Sequence, residues 1–531
     1  MSDRFPLRRY GAAVFSAVLF SLAIPNEVFQ WGMPLLSPFI LTPLFWGLEG
    51  ASLPQARRML VLFGLVFTLT SNYWLAFFGD YSIWTIGGVT LGYIPYYLFL
   101  SHFLWDAARR PLPLRPLLLA AVWTVFEYCK SSGYLGYPWG LLPYPLHGIL
   151  PLIQVSDLLG IWPLTFLLAW MSALLADILS PPAPPTPSRP TPSPLPQLAA
   201  AGLLLAVFLA YGLVRMYLIP LPERGAFTAA LIQHNADSWD ESPDADEESI
   251  LTAERLSLEA IRTTPEVDLV VWSETVLTYP YNYRPAFYER RPAEKPFFAF
   301  LVELNRPLLT GSPYREKVGE EVRYYNSVLL IGPDGAIQGA YKKKHLVPMA
   351  EHIPFWDVPL IQHFFRGTIR LYGTWEPGKE NTVFTLPLED GTLVRFGTPI
   401  CFEDAFTVIN RALVRAGAEV LINLTNDSWS RTVSAQVQHF VAARFQAAAL
   451  KTTMVRSTNS GYTCVIDPWG RVRADLPMFT PAYLTARVPL YDRPPTLYAL
   501  AGDLLPRLLF LWVIALLLWE RGRGGMRTPH G

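Results

Sequence analysis

Four stretches of this chain, residues 28–48, 59–79, 81–105 and 190–214, contain no Asp, Glu, Lys or Arg. Each is long enough to cross a hydrocarbon core, which a helix spans in about 20 apolar residues. Runs at 10–26, 113–131, 152–178 and 498–519, interrupted by Glu127, Asp157, Asp503 and Arg507, read as four more. The expectation is a multi-pass α-helical membrane part of about eight spans. Arg4, Arg8 and Arg9 precede the first run as they would in a signal peptide, yet a second apolar run follows directly and no cleavage site is evident. The first run is therefore expected to be retained.

Only 16% of the 531 residues are charged, against roughly 25% in an ordinary soluble domain. Disorder and a plain cytosolic enzyme are excluded. Basic and acidic residues balance at 43 each, so the basic excess of a nucleic-acid partner is missing and no nucleic acid is expected. The three cysteines, Cys129, Cys401 and Cys464, are too far apart and too few for a disulfide framework or a zinc or redox pair.

With the N-terminus in the cytoplasm, threading these spans gathers Arg57, Arg58, Arg109, Arg110, Arg115, Arg189, Arg521, Arg523 and Arg527 on one side. That is the positive-inside bias, and it sends the long segment 221–498 to the extracytoplasmic side. The division is then 1–220 with seven spans, 221–498 as a separate domain, and 499–531 with the last span and a cytoplasmic tail. Residues 180–197 carry nine prolines and read as a solvated polyproline connector on the cytoplasmic side.

The segment 221–498 has the composition of a soluble α/β domain. Short β-branched runs recur at 226–233, 267–272, 325–331, 394–400, 420–424, 454–457 and 463–466, with helical patterns at 247–262 and 433–450. Turn signals at 332–335, 389–391 and 468–470 mark hairpins. Strands that alternate with helices in places and pair as hairpins in others predict a mixed, two-sheet sandwich flanked by helices.

Three places in it carry possible chemistry. At 270–274 a buried-looking strand runs into Glu274, where α/β sheets present catalytic groups, though an acid capping a following helix has the same pattern. At 398–404 a strand end leads through Cys401 and Phe402 to Glu403 and Asp404. A thiol starting a helix has its thiolate favoured, as a nucleophile requires; a buried inert cysteine is the alternative. At 341–348 three lysines stand together. The period of two in a strand would put Tyr341, Lys343 and His345 on one face and Lys342 and Lys344 on the other.

A Glu, a Lys and a Cys in that order, each at the end of an apolar strand, resemble the nitrilase superfamily. The flanking residues narrow the resemblance to its membrane-embedded apolipoprotein N-acyltransferase branch. The matching stretches are Trp272-Ser273-Glu274, Tyr341-x-Lys343-x-His345-Leu346-Val347-Pro348 with Glu351 and Pro354, Ile400-Cys401-Phe402-Glu403, Asn423-x-x-Asn426-Asp427-x-Trp429, Gln438-His439 and Arg456-Ser457-Thr458-Asn459-x-Gly461. The chain departs from the usual residues at Ala350, Phe402 and Ser430-Arg431.

What the resemblance implies is an extracytoplasmic α-β-β-α sandwich of nitrilase type on the periplasmic side of a bacterial inner membrane. Its activity would be two-step acyl transfer from a phospholipid, through a cysteine thioester, to the α-amino group of the diacylglyceryl-modified N-terminal cysteine of a lipoprotein. Glu274 would be the base, Cys401 the nucleophile, and Lys343 with the backbone N–H of Phe402 the oxyanion donors. Glu351 would orient Lys343, and Glu403, Trp239, Trp429 and Trp139 would support the site or its substrates. No metal or cofactor is implied. Because both substrates are lipids, aromatic loops at 275–300 and 352–374 are expected to face the bilayer. The rival readings are a membrane-tethered amidase or nitrile hydrolase using water, and a transporter carrying a catalytically dead domain.

Overall fold

A computed structural model describes residues 5–180, 193–369 and 373–525. Most of the polyproline connector expected at 180–197 lies outside them, as do Arg4, Arg189 and Arg527. The chain divides into two compact units, one drawn from 1–73, 85–219 and 500–531, the other from Trp74–Trp84 and Pro220–Ala499.

Among the described residues, three helices are long and apolar enough to cross a membrane: Gly79–Ala108, Trp162–Leu179 and Leu195–Leu218. Of the about eight spans expected, three are thus met at that length and apolarity, while others of the expected runs form shorter or interrupted helices. The reasons are local. Run 28–48 is broken into a 3-10 turn, Pro34–Phe39, and a short helix, Thr42–Leu48, because Pro34, Pro38 and Pro43 each remove a backbone donor. Run 59–79 becomes the helix Leu53–Ser71, which takes Arg57 and Arg58 into its first turns. Run 152–178 is cut at Gly160, whose φ of +72° ends one short helix before Trp162–Leu179 begins.

The second unit is a sandwich of two six-stranded sheets. The first has the order β12-β1-β2-β3-β4-β5, formed by β1 (Glu223–Gln233), β2 (Leu269–Val271), β3 (Leu308–Val318), β4 (Glu321–Ile331), β5 (Ile337–Lys342) and β12 (Ala482–Tyr491). The second, in the order β11-β10-β9-β8-β7-β6, comprises β6 (Val383–Pro387), β7 (Leu393–Gly397), β8 (Val420–Thr425), β9 (Thr453–Thr458), β10 (Cys464–Ile466) and β11 (Val472–Asp475). The turns at 332–335, 389–391 and 468–470 join the antiparallel pairs β4–β5, β6–β7 and β10–β11. β1, β2 and β3 are parallel, as are β7, β8 and β9. Parallel strands align their carboxyl ends, where such sheets carry their chemistry. The Ser457 hydroxyl on β9 donates to the Val271 carbonyl on β2 at 3.0 Å, a polar link between the sheets.

On the outer face of the first sheet, helices Ala245–Thr263 and Phe297–Leu304 close a core of Ile250, Ala253, Leu256, Trp272, Phe297 and Phe300. Tyr281 and Tyr288 are buried in the same cluster. Part of the aromatic loop 275–300 is therefore core, with Phe297 and Phe300 packed on Trp272 and Tyr281 on Tyr288, while Tyr279 and Tyr283 stay exposed. Segment 352–369 does expose its apolar side chains, with Phe355 and Leu360 each 77% accessible.

One acid within this core has no counterpart. Glu254 is 1% exposed and neither carboxylate oxygen has a hydrogen-bond partner among the described residues. Burial drives its pKa up to about 8, with Lys295 opposing and Glu303 adding. The folded chain thus holds this proton more tightly than the unfolded one, so the stability it contributes is lost as pH rises from about 4 through about 8. Glu254→Gln should raise the unfolding midpoint of the detergent-solubilised chain by about 2–5 °C more at pH 8 than at pH 5; scanning calorimetry at the two pH values checks this.

Candidate active site

Glu274 follows β2, Lys343 is the first residue beyond β5, and Cys401 follows β7 by way of an isolated bridge between Ile400 and Leu424. The chain reaches Glu274 through a close pass. A Cβ on Gly311 of β3 would lie 2.6 Å from the Thr275 nitrogen and 2.9 Å from the Glu274 Cα, so glycine is required there. Thr275 and Cys401 both hold left-handed backbone, at φ +61° and +52°, a strain of about 1–3 kcal/mol each that the surroundings must impose. At Cys401 the restraint is Asn423, whose Nδ2 donates to the Cys401 carbonyl at 2.8 Å and the Pro399 carbonyl at 3.0 Å.

The structure brings Glu274, Lys343 and Glu351 together. Lys343 is fully buried, and its Nζ donates to Glu351 Oε1 at 2.8 Å and to Glu274 Oε1 at 3.3 Å. Burial alone would lower its pKa; Glu274 and Glu351 outweigh that and push it well above the ordinary lysine value, which keeps a positive charge on this buried side chain. Glu274 also accepts Asn326 Nδ2 at 2.8 Å and the Asn426 backbone N–H at 3.0 Å. Of the roughly four acceptor sites on a carboxylate, three are occupied by these donors. One remains for a further proton donor.

Cys401 opens a five-residue 3-10 turn, Cys401–Ala405. Here the expectation of a favoured thiolate is corrected. Burial, and after it the Glu274 carboxylate, push the thiol well above its usual range, with Lys343 and the Thr425 hydroxyl pulling the other way. A turn this short supplies little dipole to offset them. The raised thiol is one that would need a base in reach to react, and Glu274 is the carboxylate whose charge Cys401 senses most strongly.

Alternation in the lysine run separates buried Tyr341 and Lys343 from partly exposed Lys342 and Lys344. Lys342 pairs with Glu316 and Lys344 reaches Asn381. The strand itself stops at Lys342. Beyond it the N–H groups of Lys344 and His345 both donate to Glu403 Oε1 at 2.8 Å, which consecutive residues of a strand, with N–H groups on opposite sides, cannot do. Glu403 also takes the Ile400 N–H and the Tyr341 hydroxyl on its other oxygen, and so ties the cysteine turn to the lysine segment. Phe402 sits 5.4 Å below Lys343 Nζ by its ring centroid, and the His345 ring packs on Phe402 and Phe406.

The tryptophans divide. Trp239 donates its indole N–H to the Trp429 carbonyl at 2.8 Å, and the two rings meet edge to face at 5.3 Å. Trp139 belongs to the other unit, where it stacks on Tyr137 and its carbonyl accepts Lys130. Sequence reasoning missed Asn326, whose amide bridges Glu274 and Glu351 at 2.8 and 3.0 Å. Its only signal was an amide side chain just before the apolar end of the strand Glu321–Ile331. Among the described residues, no group of three or more His, Cys, Asp or Glu side chains is arranged to hold a metal ion.

The carbon-nitrogen hydrolase family matches residues 228–494, and the apolipoprotein N-acyltransferase N-terminal domain matches 16–174. Among curated relatives, apolipoprotein N-acyltransferase 2 of Treponema denticola is 38% identical over 96% of this chain and 97% of its own length. The protein of the same name from Treponema pallidum is 38% identical, covering 94% and 91%. The apolipoprotein N-acyltransferase of Borreliella burgdorferi is 31% identical, covering 93% and 92%.

Proposed function

The chain belongs to the apolipoprotein N-acyltransferase family, and from that premise we propose that it transfers an acyl chain from a phospholipid to the α-amino group of the diacylglyceryl-cysteine at a lipoprotein N-terminus. The observation that carries the chemistry is the buried Lys343 held between Glu274 and Glu351 beside a strained, protonated cysteine. Glu274 takes the Cys401 proton as the sulfur attacks the donor ester. The tetrahedral oxyanion is held by Lys343 Nζ and the Phe402 N–H, and Glu351 keeps Lys343 aimed. Glu274 returns the proton to the departing lysophospholipid oxygen, leaving a thioester on Cys401. The incoming amine then attacks the thioester carbonyl and gives a proton to Glu274; the C–S bond breaks, the amide leaves, and Glu274 passes that proton to the departing sulfur, so thiol and carboxylate are both restored.

The enzyme works in the bacterial inner membrane with its catalytic unit on the periplasmic side. The arginine asymmetry of the expected eight-span threading supports that side, and the helices long and apolar enough to cross a bilayer support the membrane itself. Exposed Phe355 and Leu360 suit the segment 352–369 to a lipid surface, and Trp239 and Trp429 are proposed as supports for a bound substrate. Supplying the purified chain with phospholipid labelled on its acyl chain and with a diacylated lipopeptide tests the reading. Label should move to the peptide α-amine as an amide. Release of free fatty acid at the same rate with the peptide unmodified would favour the water-using hydrolase instead.

A further inference from the structure

Behind the nucleophile turn lies a second charged cluster with no step of its own in this chemistry. Asp404 and Arg456 are fully buried, His439 is 4% exposed and the Asp427 side chain 12%. His439 Nε2 stands 2.8 Å from Asp404 Oδ1 and its Nδ1 2.9 Å from Asp427 Oδ1. The Arg456 guanidinium pairs with Asp404 Oδ2 and reaches Asp427 Oδ2 at 3.4 Å. Two carboxylates are therefore each gripped by the same imidazole and the same guanidinium, and the ring of contacts is closed.

The two carboxylates come from different segments. Asp404 is the fourth residue of the turn that Cys401 begins. Asp427 follows Asn426, whose N–H holds Glu274 Oε2 and whose Nδ2 reaches Thr275. The gripping residues sit on rigid elements: Arg456 on β9, and His439 on the helix Val433–Leu450, fifteen of whose eighteen residues are buried. The planar imidazole fixes the separation of the carboxylates it bridges, because its two nitrogens cannot move independently. A shift of one carboxylate is carried to the other segment, and with it the spacing of thiol and base.

We propose that His439 is a positioning residue for acyl transfer, locking the Cys401 turn and the loop that holds Glu274 into one unit through Asp404 and Asp427. The inference rests on Cys401 as nucleophile and Glu274 as base. Breaking the lock displaces reacting atoms without touching substrate, so the loss falls on turnover; a misplacement of about 1 Å costs on the order of a hundredfold.

The test uses the purified full chain, phosphatidylethanolamine with a fluorescent acyl chain in mixed micelles, and single-turnover thioester formation. His439→Gln, with an unfolding midpoint close to wild type, should slow thioester formation at saturating lipid by about tenfold or more while the half-saturating lipid concentration stays within about twofold. Asp427→Asn should do the same and carries the test if His439→Gln does not fold. The double variant should be little slower than the slower single, because both cut one link. Thioester formation at the wild-type rate in either folded variant, a loss carried by lipid affinity, or fully additive losses would each overturn the proposal. A wild-type chain that forms no thioester overturns the reading of Cys401 and this inference together.

Discussion

Cys401→Ser should abolish thioester formation and lower acyl transfer by at least about a thousandfold. Glu274 has to remove a proton from a group buried beside its own negative charge. That is demanding for a thiol already pushed above its usual range, and a serine hydroxyl is a far weaker acid still. Cys129 lies in the helix Leu114–Lys130 and Cys464 in β10. Cys129→Ala and Cys464→Ala should both retain the thioester in the same gel-shift or mass assay. Full transfer by Cys401→Ser would exclude nucleophilic catalysis at this position.

Lys343→Met should reduce turnover by about a hundredfold or more through the lost oxyanion donor. The same change leaves Glu274 and Glu351 facing each other without their shared cation, and removing one partner of a buried pair costs about 3–5 kcal/mol. Rates should therefore be taken at a temperature where calorimetry finds the variant folded. Lys342→Met and Lys344→Met remove partly exposed charges paired at the surface, and each should alter stability by no more than about 0.5 kcal/mol and leave turnover close to wild type. Inactivity of either, with Lys343→Met active, would reverse the assignment within the lysine run.

Much of this was legible along the chain because it is written locally. The hairpin turns at 332–335, 389–391 and 468–470 need only Gly, Pro and Asp in sequence, and the strand ends that present Glu274 and Cys401 need only an apolar run that stops. The burial of Lys343 apart from its neighbours followed from a period of two, although the strand carrying that period ends one residue earlier. Other features depend on what folding brings near. Three prolines decide that 28–48 is not one helix, which a count of charges does not register. The Cys401 thiol sits high because folding buries it and, after that, sets Glu274, distant in sequence, close to it. Asp404, Asp427, His439 and Arg456 come from a turn, a loop, a helix and a strand, with no shared spacing to mark them as one cluster. The rings of 275–300 have the composition of a membrane-facing loop, and only the position of Trp272 reveals that Tyr281, Tyr288, Phe297 and Phe300 among them fill a core.

The covalent intermediate is the most direct point of decision. Purified chain exposed to phospholipid with an isotope-labelled acyl chain, and no lipoprotein acceptor, should be quenched in acid, digested and mapped by mass spectrometry. The labelled acyl mass should appear on the peptide containing Cys401, be released by neutral hydroxylamine as a thioester is, and pass to a diacylated lipopeptide when one is added. Label on another residue, or transfer to the lipopeptide with no acyl adduct on Cys401 at any time, would contradict acyl transfer through this cysteine.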